Sequence, residues 1–247
     1  MLEVSLSINI NIKSFIIIMT ESITLTLTGS NSILEAQYHP PIELNPLKNY
    51  VIGLVELYTF NSIPNIDEKN NKFYIENSDP IIIPEGSYEI DDIHKYLNEE
   101  LTKKNISLEL KPNNNTLRST IHCSANIDFK PSDSIGELLG FRSQLLLANE
   151  THQSDLPVKI LKINSLRVQC NITTGSYINN QRDHTIHEFF PAVEPGYKII
   201  EVPLSVIYLP IIVNSIDHLQ LRIEDQDGDL VNFRGEEITI RLHIKSI

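Results

Sequence analysis

The chain has 247 residues, with 20 Lys and Arg against 32 Asp and Glu, a formal charge of -12. Its 41% hydrophobic content is that of a globular protein able to bury one large core or two modest ones. Only 9 Gly against 13 Pro exclude collagen-like and flexible-linker classes.

Wrapping nucleic acid takes Lys and Arg to neutralise phosphates, and no basic run exceeds Lys103-Lys104. Direct nucleic-acid binding is therefore not expected. Cys123 and Cys170 stand far apart with no C-x-x-C, too few for a disulfide framework. They read as two buried thiols in a reducing compartment. No apolar run approaches the ~18 residues that span a bilayer, so no membrane span is expected.

Residues 1–18, MLEVSLSININIKSFIII, lack a basic start and a small-residue cleavage site. Val4, Leu6, Ile8, Ile10 and Ile12 alternate as in a strand, and Met19 offers a second start. The stretch is expected to be an N-terminal extension or arm. Ser22 to Thr28 then reads as a strand with one apolar face. Lys48 to Phe60 is almost continuously apolar, which fits a strand buried on both sides or one that bends between sheets. Asn61 to Asn71 is a turn-rich connection, and Phe73-Tyr74-Ile75 resumes an extended run.

The middle of the chain changes character. Asp91 to Lys104 places Ile93, Tyr96, Leu97 and Leu101 on one face, with acids at its start and lysines at its end, and predicts a helix. A strand from Ile106, a turn at Pro112 to Asn115 and a strand TLRSTIHC follow. Asp133 to Phe141, DSIGELLGF, predicts a short helix capped by Ser132 or Asp133. After Asp155 strands return, at Val158 to Thr173, Thr185 to Phe190, Tyr197 to Val202 and Val206 to Val213. Two alternating terminal strands, with Leu219, Leu221 and Ile223 in one and Ile238, Ile240, Leu242 and Ile244 in the other, flank the turn pair Asp227-Gly228. The fold expected is mainly β: a single jelly-roll β-sandwich with an inserted small α/β unit. Residues 19–77 and 151–247 form the jelly-roll domain and 78–150 the insertion.

Few residue clusters suggest chemistry. His184-Thr-Ile-His187-Glu188 holds metal-ligand types, but a zincin needs H-E-x-x-H on a helix. On a strand, residues three apart face opposite ways, which spoils shared coordination. Asp225, Asp227, Asp229, Glu236 and Glu237 suggest a calcium loop, but Gly228 falls at the fourth position rather than the sixth and the flanks are strands. A charged hairpin tip is the simpler expectation. Ser205 and Ser215 lack a nucleophile context, and Gly136, Gly140 and Gly175 read as turn or close-packing positions. No catalytic, metal or cofactor-binding residue is assigned, and no cofactor is expected.

Several long blocks carry a family likeness. GSNSILEAQYHPPIELNPLKNYVIGLVELYTFNSIPNI, from Gly29 to Ile66, resembles the minor capsid protein of Polinton (Maverick) elements and the related adintoviruses. So do IPEGSYEIDDIHKYLNEEL, ISLELKPNNNTLRSTI and DSIGELLGF, and so do PVKILKINSLRVQCNITTGSYINN, TIHEFFPAVEPGYKIIEVP and SIDHLQLRIEDQDGDLVNFRGEEITIRLHIK near the end. The resemblance covers about residues 19 to 247. It implies a penton: a non-enzymatic homopentamer at the vertices of an icosahedral capsid, partnered with a double-jelly-roll major capsid protein. Its place would be the virion, otherwise the cytoplasm or nucleus of the host cell. The chain is too short for two jelly rolls plus an insertion, which favours penton over major capsid protein. The alternative is a monomeric β-sandwich, a lectin-like binding module or a metal-dependent hydrolase using His184, His187 and Glu188.

Overall fold

A computed structural model of the chain describes residues 22–160 and 163–247; the expected arm at 1–18 lies outside the described residues. The chain opens with β1 (Ser22–Gly29), β2 (Ile33–Glu43) and β3 (Tyr50–Phe60). The middle holds β4 (Lys72–Ile75), β5 (Ile81–Ile82), α1 (Ile90–Thr102), β6 (Leu108–Asn113), β7 (Arg118–Cys123), β8 (Ile127–Asp128), β9 (Leu145–Leu146) and β10 (Thr151–Gln153). The rest comprises β11 (Leu166–Cys170), β12 (Ser176–Ile178), β13 (Gln181–Asp183), β14 (Thr185–Phe189), β15 (Lys198–Glu201), β16 (Leu209–Pro210), β17 (Ser215–Asp225) and β18 (Ile238–Ser246).

Two antiparallel sheets face each other. The first runs β1-β18-β3-β15, with β16 also on β3, and the second runs β14-β11-β17-β2. Taken in chain order, these strands alternate between the sheets except where β14 follows β11 and where β16 follows β15. That alternation is the jelly-roll arrangement. Each strand supplies one apolar face to the space between the sheets. Leu25 and Leu27 come from β1, Ile240 and Leu242 from β18, Val168 from β11, and Leu219 and Leu221 from β17.

The long apolar run of β3 is explained by a bulge. Pairing with β18 shifts between Arg241 and Leu242, which lie opposite Glu56 and Leu54, so Val55 is the extra residue. The slip lets both Leu54 and Leu57 face the core, three positions apart, where a regular strand would turn one of them outward. Beyond the sheet, the segment around Val206 to Tyr208 crosses the outer side of β3 at Gly53. A Cβ there would lie 2.5 Å from Val206 Cγ1 and 2.7 Å from the Ile207 carbonyl oxygen, so only Gly admits this crossing.

Three sequence expectations are corrected. The terminal strands are not a hairpin: β17 pairs β2 and β11, while β18 pairs β1 and β3. Each has a single apolar face, and lying in opposite sheets points both faces into one core. The chain does reverse at Asp227-Gly228, with Asp225 N–H donating to Asp229 O at 2.9 Å. Next, Asp133 to Phe141 is a series of turns rather than a helix. Gly140 sits at φ +83, and a Cβ on it would lie 2.3 Å from the Leu156 carbonyl oxygen. Asp133 does not cap; it binds Lys72 Nζ at 2.6 Å and the Tyr74 hydroxyl at 2.8 Å. Finally, Val206 to Val213 pairs with β3 only at Leu209 and Pro210.

A second hydrophobic cluster occupies the middle of the chain, from Ile66 to Leu146, with Val158 and Ile160 packed against it. Helix α1 buries Ile90, Ile93, Leu97 and Leu101 there, and a reciprocal Glu89–Asp92 capping box starts it. Its contacts are with β6, in the small sheet β10-β7-β6, while β5-β4-β8-β9 forms a second small sheet. Phe129 joins Phe73 and Phe141, with ring centroids 5.9 and 5.3 Å away. The chain leaves the sandwich after β3 and returns before β11. The two crossings touch where Asn65 Nδ2 donates to the Ile160 carbonyl at 3.2 Å.

Candidate functional site

The histidine cluster is dispersed by its strand. His184 Nδ1 lies 2.7 Å from the Thr173 carbonyl oxygen, and Glu188 faces Arg167 Nε at 3.4 Å. His187 Nε2 lies 2.8 Å from Glu201 Oε1, and its ring stacks on Phe189 with centroids 5.8 Å apart. Because β14 and β15 belong to different sheets, the His187–Glu201 contact ties the two sheets at one flank of the sandwich. Each of the three side chains is engaged separately, an arrangement that serves structure.

The acidic tip is held by backbone. Asp225 Oδ1 accepts from the N–H groups of Asp227 at 2.9 Å and Asp229 at 3.0 Å, which spends this carboxylate on the turn. Among the described residues no three of His, Cys, Asp and Glu converge as a metal site. Both cysteines are buried, and burial pushes the Cys170 thiol up to about 11, far from a reactive thiolate. Gly136 is a close-packing position, since a Cβ would press on the Phe129 ring at 2.7 Å, and Gly175 takes φ +101.

Two surface features are better suited to recognition. A groove of about 810 Å³ runs where the sandwich meets the middle unit, lined by Tyr88, Phe190 and Pro191 together with Glu89, Asp92 and Glu194. The second feature is the flank formed by β15, β16 and the segment between them. Phe60, Tyr197, Ile200, Val202, Leu204 and Ile207 are all exposed there, and Leu204 is 108% exposed. Periodicity does not reveal this flank, because the segment is mostly not a strand. Charge does: Val202–Ile216 is the longest run in the chain without Asp, Glu, Lys or Arg. Such a run on a surface marks a place that water-facing side chains avoid.

The opposite edge of the same sheet is also uncharged. From Ser22 to Leu34 there is no Asp, Glu, Lys or Arg, and Thr24, Thr26 and Thr28 alternate outward along β1. Its register with β18 is unbroken from Ser22 to Gly29. Between the two edges lies a more polar outer face. Arg241 pairs with Glu56, Tyr208 bonds His243 Nδ1 at 2.8 Å, and Lys245 Nζ stands 3.7 Å from the Tyr208 ring centre.

The fold defines a class: a jelly-roll β-sandwich with an α/β unit between its third and fourth strands, mostly β throughout. Among solved structures it is similar to the selenomethionine-labelled mavirus penton protein. The TM-score is 0.50 at 14% identity, and the match covers 92% of this chain and 100% of that one. No family model matches the chain, and no curated protein matches it in sequence. At that identity the likeness concerns fold alone.

Proposed function

We propose that this chain is a penton-like minor capsid protein that forms homopentamers at the vertices of an icosahedral capsid. The observation that carries the reading is the match in fold to a penton protein, over 92% of this chain and 100% of that one. The sequence resemblance to Polinton and adintovirus minor capsid proteins refines the source to an element of that type. Its neighbours at the vertex are double-jelly-roll major capsid subunits, and its place is the virion. The work is binding, not catalysis. With a charge of -12, genome contact falls to a basic partner. Within this reading the inserted unit expected at residues 78–150 is carried by the sandwich, and its hydrophobic cluster widens it to residues 66–160.

The test is direct. Purified protein, with and without the major capsid protein, is imaged by negative stain and sized by sedimentation velocity. Five-fold rings near 140 kDa, about five times the 28.1 kDa subunit, are expected. A chain that stays at 28.1 kDa at high concentration in both settings overturns the reading.

A further inference from the structure

Resting on the ring reading, we propose that adjacent copies meet head to tail through the two edges of the first sheet. The apolar β15–β16 flank of one copy seats on the β1 edge of the next. The occupant is a second copy because of charge. Two chains that each carry -12 repel, and they come together most cheaply where neither presents a charge. The charge-free strands β1 and β16 lie at opposite edges of one sheet, and β15 beside β16 adds Ile200 between Lys198 and Glu201, a pair of opposite sign.

The areas agree. Phe60, Tyr197, Ile200, Val202, Leu204 and Ile207 together expose on the order of 800 Å². That is one partner's share of a standard interface, and more than the largest apolar patch of most monomers. The receiving edge is undefended. Among the described residues no strand pairs with β1 on its far side, and β1 lacks the Lys, Pro or bulge that usually blunts an open edge. The two surfaces differ, so the contact is heterologous and each copy keeps one free flank of each kind until a ring closes. A patch meeting its own copy would stop at a dimer.

The experiment uses two variants of the full chain. Ile200→Asp with Leu204→Asp spoils the apolar flank, and Thr26→Glu spoils the β1 edge. All three residues are exposed, and Glu at 26 stands opposite Arg241, so both variants keep the wild-type fold and melting curve. Sedimentation velocity is run on each alone and on an equimolar mixture. Each alone is expected at the monomer mass; the mixture gives a 1:1 pair of about 56 kDa and nothing larger, because only one good flank of each kind remains. Leu117→Asp, on an exposed turn of the middle unit, leaves wild-type assembly intact. Variants that assemble like wild type overturn this interface and leave the ring standing. Thr26→Glu that still dimerises, while the flank variant does not, overturns the head-to-tail contact. Wild type that is itself monomeric overturns the ring and this contact together.

Discussion

Thr59 offers the sharpest test of how the sandwich core is built. It lies on the inner face of β3 opposite Ile199, 1% exposed, and among the described residues its Oγ1 is a buried side-chain oxygen without a hydrogen-bond partner. Burying a hydroxyl unpaired costs roughly 1–3 kcal/mol on the scale set by protein substitutions. Thr59→Val exchanges that hydroxyl for a methyl of similar size on an equally β-branched stem, so no cavity opens and strand preference is kept. The expected gain is about 1–2 kcal/mol, which for a chain of this length raises Tm by roughly 2–8 °C. Urea unfolding followed by circular dichroism measures it as a higher midpoint at unchanged m. Thr59→Ser keeps the hydroxyl but removes the methyl, and should lose about 1 kcal/mol. A Val variant no more stable than wild type, beside a neutral Ser variant, would refute the reasoning: the hydroxyl would then gain in solution a bond that offsets its burial.

Leu242→Ala, at a fully buried position between the sheets, should cost about 2–5 kcal/mol, whereas Leu204→Ala on the exposed flank stays within about 0.5 kcal/mol in the same urea assay. Gly140→Ala combines φ +83 with a Cβ placed against the Leu156 carbonyl, and should lose at least about 2 kcal/mol, read as early melting of the middle unit by hydrogen exchange. Neither thiol should react with an aromatic disulfide reagent at pH 8 until the chain unfolds, since both are buried and Cys170 is pushed up to about 11; fast native labelling would contradict the burial. Lys72, through its hydrogen bond, and then Tyr74 hold the Asp133 carboxyl below its ordinary value. A group lowered in the folded state stabilises fully above the unfolded value, about pH 4, and loses that contribution as pH falls through the lowered one. The stability gap between wild type and Asp133→Asn should therefore shrink from pH 6 to pH 3.

The legible parts of the fold are those where one period governs a whole element. β1 and β18 alternate cleanly, and α1 shows its stripe because each packs a single face with no interruption. β2 escapes such reading. Its Tyr38-His-Pro-Pro41 sequence looks like a break, yet these residues sit in a step of the pairing with β17, from Gln37 opposite His218 to Ile42 opposite Ile216. Proline cannot donate to a ladder, so a bulge is where a strand can hold two of them. DSIGELLGF has helical spacing, but Gly140 and the Lys72–Asp133 pairing override it through tertiary contacts. The partner sheets of β17 and β18 were also beyond local pattern, since alternation says which face is apolar and not which strand lies alongside. The candidate surface was half visible: the absence of charge over Val202–Ile216 can be read directly, but its place at a sheet edge opposite β1 comes from topology.

The crossing at Asn65 and Ile160 has a consequence for how such a ring would hold its surroundings. The middle unit hangs from the sandwich by two adjacent chain segments, so its own sequence can change without disturbing the strands that would close the ring. Five copies on one axis would display five such units at fixed spacing. A ligand or neighbour touching each one weakly would then be gripped through high local concentration, by factors of about 10²–10⁴ over a single contact. A modest surface on one insertion becomes, by repetition, an avid one.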